Sequence, residues 1–307
     1  MLSIIVCSKH KILSNEFTEN INNTVGVDYE IIAIDNSKNQ YSIFSAYNTG
    51  ISRSKYPYLC FVHEDVLFYS KNWGVNIIAH LQDPETGIIG VAGGDLVTLV
   101  PASWANLISP SLNIIQTDLS GKKPTEYYLE PRNFNHSKRS SITLDGVFMC
   151  MRKELTEKIH FDENIKGYHG YDYDITIQSI VAGYVNYSIY DIKLEHSSKG
   201  KTDILYFRNL IYIFKKWESH LPLIGKNITD EEIQNIPKIE EKKLYQLTKK
   251  MVRKGFDVNE IISEITYYSN RIGLKRAAKF LKFRILLIRL FNCPKYLLKY
   301  INGVSMS

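Results

Sequence analysis

"YPYLCFVHEDVLFYSKNW", residues 56–73, is the stretch of sequence that decides the fold. Residues 58–62 form a continuous apolar run with aromatic and β-branched side chains, which is typical of a buried strand in a parallel sheet. An imidazole and two carboxylates, His63-Glu64-Asp65, follow at once, and the chain then becomes apolar again. Charges at the end of a buried strand cost free energy unless they are paired, bind a metal or reach a cleft. The stretch therefore predicts a functional site at the end of a central strand.

The composition is that of an ordinary soluble globular protein, because 44% of the 307 residues are hydrophobic and 23% are charged. This length allows one large domain or a domain with an appendage. The first apolar run, residues 4–7, is too short for a signal peptide and lacks a basic leader, and no run is long enough to cross a bilayer. We therefore expect a cytoplasmic protein with reduced thiols at its four scattered cysteines, Cys7, Cys60, Cys150 and Cys293.

Strand and helix patterns alternate along the first two hundred residues. Strands are predicted over residues 2–7, 29–34, 58–62, 87–92, 147–151 and 186–194, with helices over residues 12–24, 42–52, 73–81 and 175–182. Such alternation predicts an α/β fold with a mostly parallel sheet flanked by helices on both faces. Ligands of these sheets bind at the carboxyl ends of the strands, which is where Asp35 and His63-Glu64-Asp65 lie.

Two common nucleotide-binding folds do not fit. A dinucleotide-binding fold needs a glycine-rich turn after the first strand, yet the first glycine after it is Gly26, and a Walker-type loop is also missing. What remains is a nucleotide site that uses an acid after the second strand and a metal near the third.

Five blocks in register resemble a family 2 glycosyltransferase with the GT-A fold. These blocks are "LSIIVCSK" (2–9), "YEIIAIDNS" (29–37), "AYNTGISRSKYPYLCFVHEDV" (46–66), "LDGVFMCMRKEL" (144–155) and "FDENIKGYHGYDYDITIQSIVAGY" (161–184). Residues 61–73 resemble a prokaryotic subgroup that includes a streptomycin-biosynthesis protein, in which His-x-Asp replaces the usual Asp-x-Asp. The resemblance covers residues 1 to about 200. It implies a catalytic domain over residues 1–200. Residues 201–307 carry helix-capping sequences and helical spacing with no strand pattern, which predicts a helical appendage.

The resemblance implies a site for Mn²⁺ or Mg²⁺. Asp65 matches the direct metal ligand of the family. His63 stands where the first Asp is expected, and it either ligates the metal or hydrogen-bonds the ribose or a phosphate. His196, after a further strand, either completes the metal site or is an ordinary satisfied polar residue.

The same blocks imply a site for a UDP-sugar donor. Asp35 matches the acid that reads the nucleobase, although Asp-Asn-Ser is also a plain turn sequence. Asn48 matches an Asn near the diphosphate, and alternatively it caps a helix just before Gly50. Ser8, His63, Asp65 and Asp145 complete the predicted binding set, with Asp145 on the acceptor side.

The resemblance places the general base in "GYHGYDYDIT". Asp172 is the preferred candidate and Asp174 the rival, because the Glu that precedes the base in the family is replaced here by Tyr171. Acids at a helix start are also favoured by capping and by the helix dipole, so this pattern has a purely structural interpretation as well. Residues 101–140 are expected to supply loops around the acceptor.

The basic charge of the chain lies in its tail. From Arg271 onward the chain has nine Lys or Arg and no Asp or Glu. Because the whole chain has a net charge of +6, the first 270 residues have a net charge of about −3. On a helical wheel Arg271, Lys275, Lys279, Lys282 and Arg289 share one face, and aromatic and aliphatic residues fill most of the rest. This pattern predicts contact with an anionic membrane surface, with packing on the catalytic domain or in a homodimer as the alternative. Nucleic-acid binding is not expected, because no groove-reading motif accompanies the basic face.

The resemblance thus predicts an inverting glycosyltransferase that moves a sugar from a nucleoside diphosphate to a glycan or lipid-linked acceptor. Its expected role is bacterial surface polysaccharide synthesis on the cytoplasmic side of the membrane. Two other hypotheses stay open. One is a degenerate protein that binds sugar nucleotides without turnover, and the other is a membrane-associated scaffold whose tail is the active part.

Overall fold

The computed structural model describes residues 1–103, 105, 108, 110–117, 125–129, 137–197, 202–274, 279, 281, 282 and 285. The first two hundred residues hold the strands β1 (Leu2–Ser8), β2 (Tyr29–Asp35), β3 (Tyr58–Val62), β4 (Val66–Phe68), β5 (Thr86–Gly90), β6 (Ala92–Gly94), β7 (Leu96–Val97), β8 (Ser111–Gln116), β9 (Thr125–Leu129), β10 (Lys138–Ser141), β11 (Thr143–Leu144), β12 (Phe148–Arg152), β13 (Val185–Ile189) and β14 (Leu194–His196). Their helices are α1 (Asn15–Thr24), α2 (Ile43–Arg53), α3 (Trp73–Leu81) and α4 (Tyr171–Val181), with a 3₁₀ turn over Lys153–Glu157. Beyond them lie α5 (Ile204–Lys216), β15 (Leu223–Ile224), α6 (Asp230–Arg253) and α7 (Val258–Arg271).

The main sheet confirms the predicted fold class. Among the described residues its strand order is β10-β13-β5-β12-β3-β1-β2. The pairs β1–β2, β1–β3 and β13–β5 are parallel, whereas β12 runs antiparallel between β3 and β5. Residues of β3 alternate between two apolar clusters, because Leu59 and Phe61 face one and Cys60 and Val62 face the other. The sheet is therefore covered on both faces.

A second sheet stands beside the first. Its described strands have the order β11-β6-β8-β14-β4, with β9 added next to β8. Strand β14 pairs with β4 in antiparallel register and with β8 in parallel register. The chain leaves β3 in the first sheet and enters β4 in the second with only residues 63–65 between them.

Local chemistry explains the helix starts. The hydroxyls of Ser14 and Ser42 accept from the amides of Phe17 and Ser45, both at 3.2 Å, and so cap α1 and α2. Helix α4 begins at Tyr171 and not at the predicted residue 175. Gly170 has φ of +89°, a left-handed conformation that glycine adopts freely, and its carbonyl already accepts from the Asp174 amide at 2.9 Å.

The C-terminal helices form a third apolar cluster with a residue of the first part of the chain. Val100 shares this cluster with Phe207 of α5 and with residues of α6 and α7. The prediction of an appendage without strands is wrong at β15, which pairs with β7. The division of the chain at residue 200 stays a prediction.

The predicted membrane-binding tail lies mostly outside the described residues. Within it, Leu281 and Ile285 are described and are buried in the third cluster. Among the described helices, none combines the length and the apolar character needed to span a bilayer. Cys7 is half-buried, Cys60 and Cys150 are buried, and these three are free thiols, as predicted, whereas Cys293 lies outside the described residues.

Glu240 joins α6 to the first part of the chain. Its side chain is buried, and its two oxygens accept from the amides of Leu99 and Val100 at 2.5 and 2.9 Å. We expect Glu240→Ala to lower the free energy of unfolding by about 2–5 kcal/mol, because the buried Val100 amide and the partly buried Leu99 amide lose their partner. Chemical denaturation measures this loss, and Glu241→Ala is the matched control. A loss of less than about 1 kcal/mol would contradict the assignment.

Candidate functional site

The crossing between the two sheets brings the predicted metal ligands together. His63 follows β3, and its amide donates to the Val147 carbonyl at 3.1 Å. Strand β14 ends at His196, which lies opposite Val66 in the register of β14 and β4, and the Ser197 amide donates to the Asp65 carbonyl at 3.0 Å. Two backbone ladders therefore hold His63, Asp65 and His196 in one place.

Three ligand atoms converge at this place. His63 Nδ1 lies 3.4 Å from His196 Nε2, which in turn lies 3.4 Å from Asp65 Oδ1. One nitrogen or oxygen from each of the three residues falls within 4.8 Å of the others. The structure thus brings together the three residues of the predicted metal set, and their role as ligands stays a prediction.

The hydrogen bonds of Gln116 define the tautomer of His196. Gln116 Nε2 donates to the His196 carbonyl at 2.9 Å, which leaves Gln116 Oε1 as the atom 3.2 Å from His196 Nδ1. Because Oε1 only accepts, Nδ1 must carry a hydrogen, and neutral His196 presents the lone pair of Nε2 to Asp65. Two acceptors facing each other need a proton or a cation between them. The donor set therefore fits a divalent metal ion.

The protonation states suit such an ion. Burial lowers the pKa of His63, and the neighbouring His196 lowers it further. Burial alone would raise the pKa of Asp65, but when a proton occupies His196 Nε2 the resulting hydrogen bond and positive charge lower it overall. At neutral pH the site thus offers a neutral imidazole and a carboxylate, the forms that bind metals.

Glu64 and Ser8 link the crossing to the first strand. The Ser8 hydroxyl, at the end of β1, donates to the Glu64 carboxylate in a short hydrogen bond, and the Lys9 amide donates to the same carboxylate at 3.2 Å. Ser8 was predicted to contact the donor. This contact stays a prediction; in the structure the Ser8 side chain binds Glu64 and thereby fixes the loop after β1 against residues 63–65.

A cleft of about 570 Å³ opens beside the ligand atoms. Its polar lining includes His63, His196, Asp145 and Asp172, and its apolar lining includes Leu112, Ile114 and Tyr206. The cleft therefore brings the candidate metal ligands and one candidate base to a single space.

Asp172 is the carboxylate best suited to accept a proton in this cleft. Burial raises its pKa to about 7, and the nearby Asp145 carboxylate contributes in the same direction. Asp145 itself accepts from the Val147 amide at 2.9 Å, which holds its side chain at the start of β12. Such a poised pKa is typical of a general base.

Asp174, the rival base, lies in a buried network of hydrogen bonds and an ion pair. Only 1% of it is exposed, and it is not among the described residues that line the cleft. Its oxygens accept from Gln178 Nε2 at 2.8 Å and from Trp217 Nε1 at 2.8 Å, and they lie 2.9–3.0 Å from Lys216 Nζ. The two acids of "DYD" thus have different surroundings, Asp172 in the cleft and Asp174 in a buried hydrogen-bond network.

Asp35 and Asn48, two of the predicted nucleotide contacts, are not among the described residues that line the cleft. Asp35 is exposed, and its carboxylate accepts from the Ser37 amide at 2.9 Å, so the turn interpretation is correct locally. The alternative interpretation of Asn48 as a helix C-cap is wrong, because α2 continues to Arg53. The Asn48 amide instead donates to the Phe161 carbonyl and to Glu163, both at 2.8 Å, and so fastens α2 to that segment.

Two side chains that contact the candidate ligands were not predicted from the sequence. Each of them hydrogen-bonds the imidazole nitrogen that faces away from the other candidate ligands. Tyr171 lies 2.8 Å from His63 Nε2, and Gln116 lies 3.2 Å from His196 Nδ1. Tyr171 was noted only as a departure from the family pattern. Gln116 lies at the end of a strand of the second sheet, and no motif marks it.

Comparisons with known proteins agree with the fold. The sequence pattern described as "Glycosyltransferase like family" matches residues 3–187, more than half of the chain. No curated protein matches the sequence significantly. The structure is similar to the crystal structure of GalNAc-T7 with UDP, GalNAc and Mn²⁺, with a TM-score of 0.51 and 12% identity over 94% of this chain and 56% of that one. It is also similar to A197 from STIV, with a TM-score of 0.37 and 12% identity over 64% of this chain and 86% of that one.

The chain thus spans little more than half the length of GalNAc-T7, and at this identity the likeness concerns the fold alone. The family pattern, in contrast, covers the segments that carry His63, Asp145 and Asp172, whereas His196 and Tyr206 of the cleft lie beyond it. The chain belongs to the glycosyltransferase-like family, and its fold is of the GT-A type.

Proposed function

We propose that the protein is a metal-dependent glycosyltransferase that moves a sugar from a UDP-sugar to an acceptor hydroxyl. The observation that supports this best is the convergence of His63, Asp65 and His196 beside Asp172 in one cleft. Family membership supports the reaction class. The likeness to a protein crystallised with UDP, GalNAc and Mn²⁺ supports the choice of UDP and Mn²⁺.

His63, Asp65 and His196 would hold a divalent cation, which when bound neutralises the diphosphate of the leaving group. Two imidazoles and one carboxylate favour a transition-metal ion such as Mn²⁺ over Mg²⁺, which prefers oxygen ligands. Asp35, exposed after β2, is proposed to read the uracil, and Ser8 and Asn48 to shape the donor side through Glu64 and the 161–163 segment.

Asp172 is proposed to act as the general base. It takes the proton of the acceptor hydroxyl while the acceptor oxygen bonds to the anomeric carbon. The bond between that carbon and the diphosphate oxygen breaks, and its electron pair stays on the diphosphate. Attack from the side opposite the leaving group inverts the anomeric configuration. Asp145, which shares the cleft with Asp172, keeps the proton affinity of the base high.

We further propose a glycan or lipid-linked acceptor and a role in bacterial surface polysaccharide synthesis. The His-x-Asp sequence supports membership of the prokaryotic subgroup that the sequence resembles. Attachment to the inner face of the membrane through residues 271–301 and homodimer formation are proposals of the same kind, supported by the basic and apolar pattern of the tail.

The first test concerns the metal. Asp65→Ala should abolish Mn²⁺-dependent UDP binding in isothermal calorimetry without unfolding the protein, because it removes the only anionic member of the proposed ligand set. Glu195→Ala is the matched control. It removes a carboxylate next to His196 whose oxygens accept instead from the hydroxyls of Tyr69 and Thr117.

Unchanged UDP affinity in Asp65→Ala would remove the metal proposal. Single-turnover assays of UDP-sugar hydrolysis then separate the other hypotheses. Binding without turnover would indicate the degenerate sugar-nucleotide-binding protein, and vesicle binding without nucleotide binding would indicate the scaffold.

The second test concerns the base. Asp172→Asn should keep donor affinity but lower the rate of transfer by roughly 10²-fold or more. Because only the ionised carboxylate accepts a proton, the wild-type kcat/KM should fall as the pH drops below about 7, and the variant should lose this dependence. Transfer assays across pH 5–9 measure both effects.

Asp174→Asn provides the contrast. It should lower the free energy of unfolding by about 3 kcal/mol, because it breaks the buried pair with Lys216. If Asp174→Asn instead lost transfer at full stability while Asp172→Asn stayed active, Asp174 would be the base.

A further inference from the structure

The two histidines of the proposed metal site use different ring nitrogens to face the position of the metal. His63 offers Nδ1 and His196 offers Nε2, as their 3.4 Å separation shows. The remaining nitrogen of each ring is hydrogen-bonded to a side chain outside the set of ligand atoms, Tyr171 for His63 and Gln116 for His196. A ring nitrogen binds a metal only through its lone pair, so the hydrogen of each neutral imidazole must sit on the other nitrogen.

Gln116 fixes this hydrogen for His196. Its amide binds the carbonyl and the Nδ1 of the same residue, at 2.9 and 3.2 Å, and so holds both the backbone and the ring. Rotation of the amide by 180° would set its NH₂ group against Nδ1 and its oxygen against the carbonyl oxygen. The second contact is repulsive, so the observed orientation is strongly preferred.

Tyr171 occupies the equivalent place for His63. Its hydroxyl lies 2.8 Å from Nε2 and can accept the Nε2 hydrogen, which frees the Nδ1 lone pair. In metal sites, the oxygen that accepts this imidazole hydrogen usually belongs to the main chain or to a carboxylate. Here it belongs to a phenol.

The packing leaves the Tyr171 hydroxyl little freedom. Only 5% of the residue is exposed, and its ring meets those of Phe44, Tyr47 and Phe161 at centroid distances of 6.3, 5.5 and 6.4 Å. Gly146 provides the space for the hydroxyl, since a Cβ atom at that position would lie 2.1 Å from it.

We propose that Tyr171 and Gln116 are positioning residues that hold His63 and His196 in the tautomers able to bind a divalent metal ion. The inference rests on the proposed function and adds to it, because it assigns the supporting residues of the metal site. It also gives Tyr171 a role at the position where the family pattern has a different residue.

The experiment measures the Kd of the full-length protein for Mn²⁺, by calorimetry and by electron paramagnetic resonance of the free ion. Tyr171→Phe keeps the ring and removes the hydroxyl, so the Kd should rise roughly 10- to 100-fold. Tyr173→Phe is the matched control. It lies on the same helix with the same 5% exposure, and it loses a hydroxyl that donates to the Ala102 carbonyl at 3.0 Å.

Gln116→Leu tests the second histidine and should raise the Kd over the same range. Thermal unfolding of each variant without metal separates loss of affinity from loss of fold. A purely structural role would weaken Mn²⁺ binding equally in Tyr171→Phe and Tyr173→Phe, and that result would overturn the inference.

The same measurements distinguish failure of the proposed function from failure of this inference. A wild-type protein that does not bind Mn²⁺ would overturn the metal site and this inference together. Wild-type binding with unchanged affinity in Tyr171→Phe and Gln116→Leu would overturn this inference alone. Should Tyr171→Phe not fold, Gln116→Leu decides the outcome.

Discussion

The chain must pass from one sheet to another within three residues, and the site depends on this constraint. Strand β3 is held by β1 and β12, and β4 is held by β14, so neither end of the 63–65 segment can move without breaking a backbone ladder. The same ladder that holds β4 sets His196 against the segment. Polar groups on a flexible loop would lose conformational entropy on binding a ligand. Here the folding of the two sheets has already ordered them.

Bringing these polar groups together in a partly buried cleft is electrostatically unfavourable at two places. Acceptor atoms of His63, His196 and Asp65 face one another, an arrangement that is favourable only with a cation or a proton between them. In the same cleft, Asp145 and Asp172 repel each other, which is part of the reason that Asp172 holds its proton up to about pH 7. The cleft therefore contains one region that attracts positive charge and another that attracts a proton.

Sequence patterns predicted the parts of the molecule that depend on local physics. Helix α3 has the predicted bounds, and β3 ends where the charges begin, because apolar runs, caps and strand ends are local signals. Local patterns could not predict the start of α4, which depends on the conformation of Gly170, or the pairing of β15 with β7. The ligand set was found through the resemblance to a family. Tyr171 and Gln116 were missed because their partners are separated from them by 108 and 80 residues, and only the folded chain brings them together.

The first turn of α4 carries two neighbouring residues with separate tasks. Tyr171 contacts a proposed metal ligand, and Asp172 lines the cleft. Successive side chains on a helix diverge by about 100°, so one short rigid turn sets the offset between the proposed metal site and the proposed base. Loops elsewhere around the cleft can thus diversify in evolution without disturbing that offset. A lineage could acquire new acceptors through its loops while its donor chemistry stayed unchanged.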